Sequence, residues 1–122
     1  MAKILVIDDD KLVRSMVCGT LRKANHEVLE AGNGNEGVQK AQDETPDLVI
    51  TDMLMPDKEG IETIIEIKAI NESIKIIAIS GGGNTKNMVF LEMAQKIGAD
   101  HALSKPFKPN DLLGAINTLL GG

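Results

Sequence analysis

Aromatic side chains are nearly missing from this chain, which has two Phe, no Trp and no Tyr among its 122 residues. With so few, no stacking platform for the bases of single-stranded nucleic acid can be built, and the core must come from Ile, Leu, Val, Met and Ala. A basic excess is missing as well. Lys and Arg total 13 against 18 Asp and Glu, a net charge of -5, which argues against direct binding to a phosphate backbone. Cysteine is reduced to Cys18, so no internal disulfide and no thiolate metal cluster can form, as suits a reducing compartment. Nor is there a long apolar run. Nothing approaches the ~20 residues of a membrane span, and the start MAKILVIDDD lacks the extended apolar stretch of a secretory signal. Together these absences point to the cytoplasm, away from membranes and without a direct nucleic-acid partner.

What is present describes an ordinary folded protein, since 43% hydrophobic and 25% charged residues are enough to build a core and solubilise its surface. Apolar runs of strand length recur at 4–7 (ILVI), 28–29 within HEVLEA, 48–51 (LVIT), 76–79 (IIAI) and, more faintly, 101–103 (HAL). Helical spacing fills the intervals. Leu12, Val13, Met16, Val17, Leu21 and Ala24 fall mostly on one side of a first helix; Ile61, Ile64, Ile65 and Ile70 do so on a third, and Leu112, Leu113, Ile116, Leu119 and Leu120 on a fifth. The second helix, near 34–43, has only Val38 and Ala41 as apolar positions. The fourth has an unusually broad apolar arc from Val89, Phe90, Leu91, Met93, Ala94 and Ile97, wider than packing on a sheet needs. Asn84 could cap that helix, Pro109 suits the first position of the fifth, and Pro46 with Asp47 marks a turn. The order is βαβαβαβαβα, and near-continuous β-branched runs alternating with helices indicate a parallel sheet covered on both faces. With no repeat or linker, the expectation is one domain over 1–122 with no attached output domain.

Asp8, Asp9 and Asp10 follow directly on four apolar residues, although two carboxylates about 4 Å apart repel by roughly 4 kcal/mol at an effective dielectric near 20. In an open parallel α/β sheet, ligands sit beyond the carboxyl ends of the strands. The strand ends here supply Asp8, Asp9 and Asp10 from the first, Asp52 from the third, Ser80 from the fourth and Lys105 just past the fifth. A hard divalent cation would turn the repulsion of the acids into attraction, because Mg²⁺ favours a few oxygen ligands. A hydroxyl and an ammonium beside it suit a phosphoryl group.

These stretches, DD after the first strand, TDMLMP, ISG and KPF, resemble in order and position the receiver domain of bacterial response regulators, over essentially the whole chain. The resemblance implies a flavodoxin-like fold of strand order 2-1-3-4-5, phosphorylated on an aspartate by a histidine kinase or phosphotransfer protein. It implies Asp52 as phosphoacceptor, and Asp8, Asp9, Asp52 and the backbone carbonyl of Leu54 as ligands of Mg²⁺. Ser80 and Lys105 would contact the phosphoryl group, and Pro106 matches the residue after the family lysine. The chain departs from the family pattern at Ala102, where an aromatic is usual, which puts an aromatic output switch in doubt. Leu54 and Gly82, at positions that can orient attacking water in the family, have no side chain able to do so, which implies slow self-dephosphorylation. Output would instead run through the SGGGNT loop and the fourth helix to a downstream protein.

Other readings compete for the same residues. Asp8 and Asp10 spell the D-x-D of haloacid-dehalogenase-like phosphatases, but acidic ligands should then follow the fourth strand, where GGGN stands instead. A receiver that is never phosphorylated and serves only as an interaction module would not need its acids, hydroxyl and lysine. Asp10 reads as a helix cap rather than a ligand. GNGNEG at 32–37 is a literal G-x-G-x-x-G, yet a dinucleotide half-site would leave the other motifs unexplained, and it reads as the turn into the second helix. His26 reads as a turn residue, His101 as a partly exposed strand residue and Cys18 as an inert helix residue.

Overall fold

The structure, a computed structural model, describes residues 2–53, 60–81, 92–105 and 107–121. Five strands, β1 (Lys3–Ile7), β2 (Glu27–Ala31), β3 (Leu48–Asp52), β4 (Lys75–Gly81) and β5 (His101–Lys105), form one sheet in the order β2-β1-β3-β4-β5, and every neighbouring pair is parallel. Helices α1 (Lys11–Lys23), α2 (Gly34–Glu44) and α3 (Gly60–Ile70) follow the first three strands, residues 92–97 form α4, and α5 (Pro109–Leu120) follows β5. This is the flavodoxin-like order 2-1-3-4-5 that the family resemblance implied.

Side chains of a strand alternate between faces, and here the two faces bury two separate clusters. Leu5, Ile7, Val49, Ile76 and Ala78 point toward α2, α3 and α4, where they meet Ala41, Ile64, Ile67 and Ala94. Ile4, Val6, Leu48, Ile50, Ile77 and Ile79 point toward α1 and α5 and meet Val17, Cys18, Leu21, Leu112, Ala115 and Ile116. Each fully buried Ile or Leu contributes roughly 1.5–3 kcal/mol before the entropy of ordering, so the three inner strands carry most of the core. Gly37 lets α2 press on β1: a Cβ there would lie 2.3 Å from Ile7 Cδ1.

The helix faces differ from the expected ones at particular positions. Leu12 and Met16 stand 80% and 70% exposed, because the buried seam of α1 runs through Val17, Cys18 and Leu21 instead. On α3 the seam is Ile64 and Ile67, and Ile65 and Ile70 are exposed. Pro109 does open α5, whose first turn is closed by Lys108 N–H donating to Asp111 Oδ2 at 3.1 Å. The cap assigned to Asn84 lies outside the described residues.

The G-x-G-x-x-G segment is the turn into α2. Asn33 Oδ1 accepts from Glu36 N–H at 2.8 Å, the N-cap bond of α2, and Glu36 Oε2 accepts from the N–H of Gly32, one residue before the cap, at 3.4 Å. Among the described residues, no helix is long and apolar enough to cross a membrane.

Candidate functional site

Four strands bring polar residues to one edge of the sheet. At the end of β1, Asp8 N–H still donates to Ala31 O of β2 at 3.1 Å, while the Asp8 carboxylate accepts from Asp10 N–H at 2.9 Å. Asp52 is the last residue of β3, and its Oδ1 accepts from Met53 N–H at 3.0 Å. Ser80 comes from β4, and Lys105 is the last residue of β5. The parallel register sets these ends side by side, with Asp52 opposite Ile79 and Ser80 opposite Ser104.

Carboxylate oxygens of Asp8, Asp9 and Asp52 lie within 4.8 Å of one another, with Asp8 and Asp52 buried and Asp9 on the exposed rim. Lys105 Nζ reaches both buried acids, 3.6 Å from Asp8 Oδ2 and 3.8 Å from Asp52 Oδ1. The Asp52 carboxyl is raised from 3.8 to about 6, chiefly by burial and then by the Asp8 and Asp9 charges, with Lys105 and the Met53 N–H offsetting part of the rise. The Asp8 carboxyl is likewise raised, chiefly by burial, against the Asp10 N–H and Lys105. Ser80 is fully buried and its Oγ has no hydrogen-bond partner among the described residues. An orphan hydroxyl costs roughly 1–3 kcal/mol, so the site holds a donor that a ligand would complete.

Asp10 stands apart from the cluster. Its Oδ1 accepts from Leu12 N–H at 3.0 Å and Val13 N–H at 3.3 Å, the cap of α1 that its position suggested. A D-x-D pair of Asp8 and Asp10 therefore has its second acid engaged elsewhere. Leu54, Gly82 and Pro106 lie outside the described residues. Ala102 is partly buried against the cluster beneath α2, α3 and α4.

Over residues 4–117 the chain matches the model of the response regulator receiver domain. It belongs to that family. The chemotaxis protein CheY of Thermotoga maritima is 37% identical over 116 residues, 94% of either chain, and that of Bacillus subtilis is 37% identical over 119 residues, 97% of either chain. Among solved structures, a response regulator receiver domain protein from Clostridium thermocellum superimposes with a TM-score of 0.90 at 36% identity, over 99% of this chain and 95% of that one. A CheY-like receiver from Methanospirillum hungatei gives 0.89 at 30%, over 99% and 94%. The chain is thus a CheY-like receiver domain, a signalling module of two-component systems.

Two residues that matter to the site's shape went unnoticed in the sequence. Gly60 packs α3 directly on the end of β3, where a Cβ would sit 2.5 Å from Asp52 O and 2.7 Å from Met53 Cα. Arg14, on α1, donates from Nη1 to Asp8 O at 2.7 Å. A signal for Arg14 existed in its place one helical turn after the capping Asp10, but no spacing rule points from there to a backbone carbonyl.

Proposed function

We propose that Asp52 is the phosphoacceptor, receiving a phosphoryl group from a phosphohistidine of a histidine kinase or phosphotransfer protein. The observation that carries this is the convergence at one end of the sheet of Asp52, the two further acids Asp8 and Asp9, Lys105 and a Ser80 hydroxyl with no partner among the described residues. The donor set fits a hard divalent cation, being all carboxylate oxygen with no nitrogen or sulfur. Asp8, Asp9 and Asp52 would hold Mg²⁺, with the Leu54 carbonyl as a further ligand by family resemblance. When bound, that ion supplies neutralisation of charge on the transferring group.

The residues themselves do the rest by position. An Asp52 oxygen attacks phosphorus as the P–N bond to the donor imidazole breaks, and the imidazole leaves with the bonding pair. Lys105 offers its ammonium to a phosphoryl oxygen, and Ser80 Oγ gains the acceptor it lacks. The transfer adds about -1.5 to -2 charges at the edge of β3, which draws Ser80 and Lys105 inward and biases a second conformation. The protein thus acts once per phosphoryl group on itself and turns over no external substrate. A downstream protein would read the change on α4, where Met93 is exposed and Ile97 half-buried. Cys18 is buried with its thiol pushed up to about 11, chiefly by burial, so it is held as an unreactive thiol.

The test is intact mass after incubation with acetyl phosphate. The parent gains one phosphate with Mg²⁺ and none with a chelator, and Asp52→Asn gains none in either. Equal labelling of parent and variant overturns the assignment, and turnover of a generic phosphate ester would favour the phosphatase reading.

A further inference from the structure

We infer that Arg14 is a positioning residue, holding the Asp8–Asp9 turn so that both carboxylates stand at the spacing a divalent cation requires; this rests on the reading of those acids as Mg²⁺ ligands. Arg14 bridges two elements with one planar group. Nη1 donates to Asp8 O at 2.7 Å and Nε to Glu30 Oε1 at 3.1 Å. Glu30 is itself anchored: Oε2 accepts from Arg22 Nη2 at 3.3 Å, and its backbone carbonyl accepts from Lys40 Nζ. Burial alone would raise the Glu30 carboxyl, but hydrogen bonds from Arg14 and Arg22 hold it below its ordinary range. The guanidinium therefore starts from a fixed point on β2 and reaches across the end of the sheet to β1.

Asp8 is then pinned at three atoms. Its N–H is tied to Ala31 O, its carbonyl to Arg14 and its carboxylate to Asp10 N–H. The carbonyl of Asp8 and the N–H and Cα of Asp9 share one rigid peptide plane, so fixing that oxygen also restrains where the Asp9 Cα stands. Three adjacent acids push this turn open, and a bond to the carbonyl resists that without occupying any carboxylate oxygen. Arg14 touches Asp8 at its backbone carbonyl and not at its carboxylate, so its contribution is geometric. Lysine has one nitrogen and cannot span Asp8 O and Glu30 together.

The experiment titrates Mg²⁺ calorimetrically into the metal-free full chain of the parent, Arg14→Ala and Arg14→Lys, with amide exchange at Asp10 read in the absence of metal. Outer-shell groups typically set metal affinity by about 10- to 100-fold, and a loss of that size is expected in both variants. Faster exchange of the Asp10 amide should accompany it, while the thermal midpoint of Arg14→Lys stays close to the parent's. Lysine restoring parental affinity overturns the inference in favour of charge alone, as does affinity within about twofold of the parent in Arg14→Ala. If Arg14→Ala does not fold, Arg14→Lys carries the test. A parent that binds no Mg²⁺ removes the metal reading instead; unchanged Asp10 exchange in both variants would then overturn the positioning role on its own.

Discussion

Replacing Asp52 by Asn should make the metal-free protein more stable at pH 7, although it removes an ion pair. The Asp52 carboxyl is raised from 3.8 to about 6 by burial and by the neighbouring acids. A raised pKa means that the folded state holds the proton more tightly than the unfolded chain does. Stability from this group is therefore full below the ordinary value and is lost as pH climbs through about 6. At about 1.4 kcal/mol per pH unit, the ionised carboxylate costs up to roughly 3 kcal/mol at pH 7. The attraction of Lys105 at 3.8 Å is already contained in that net rise, and solvent at the rim trims the expected gain to about 1–2 kcal/mol. Asn keeps the volume and an oxygen to accept from Met53 N–H, so no cavity complicates the comparison. Urea unfolding followed by far-ultraviolet circular dichroism suits a chain without Trp, run with a chelator at pH 7 and again near pH 4. The advantage of Asp52→Asn should shrink at the lower pH, where the parent carboxyl is protonated too, and Mg²⁺ at pH 7 should stabilise the parent more than the variant. A variant no more stable than the parent at pH 7, or a gap of equal size at both pH values, would refute the reasoning.

Ser80→Ala removes a buried hydroxyl with no partner among the described residues, so it should be neutral or stabilising by up to about 1 kcal/mol in urea unfolding; a loss above about 1 kcal/mol would mean that the hydroxyl is already paired in the resting state. Gly60→Ala forces a Cβ to within 2.5 Å of Asp52 O, a backbone atom, and should cost about 2–3 kcal/mol. Gly114→Ala is its control. Among the described residues nothing lies within 4 Å of a Cβ there, and helix propensity should make it more stable by about 0.5–1 kcal/mol.

The inner strands were legible because burial on both faces demands unbroken apolar runs, as in ILVI, LVIT and IIAI. β2 and β5 were faint for the opposite reason: each lies at a sheet edge, and most of their residues are only partly buried. Helix faces read less well. A period of 3.6 identifies a stripe but not its width, and Leu12 and Met16 fell just outside the seam that Val17, Cys18 and Leu21 fill. The convergence of Asp8, Asp52, Ser80 and Lys105 followed from topology, since every strand points the same way and its exit is known. Contacts to backbone atoms carried no such signal. Arg14 on Asp8 O and Gly60 against Asp52 O depend on a few tenths of an ångström in how elements approach, which no residue pattern encodes.

No two neighbouring strands of this sheet are joined by a hairpin, because parallel neighbours need a crossover of a dozen or more residues. The residues at the candidate site come from four such strands. Synthesis delivers Asp8 first and Lys105 last, so a growing chain has its acids long before the cation that faces them. Such long-range topology folds slowly compared with local structure. The candidate site is complete only when the strand synthesised last, β5, lies at the edge of the sheet and sets Lys105 beside Asp8 and Asp52.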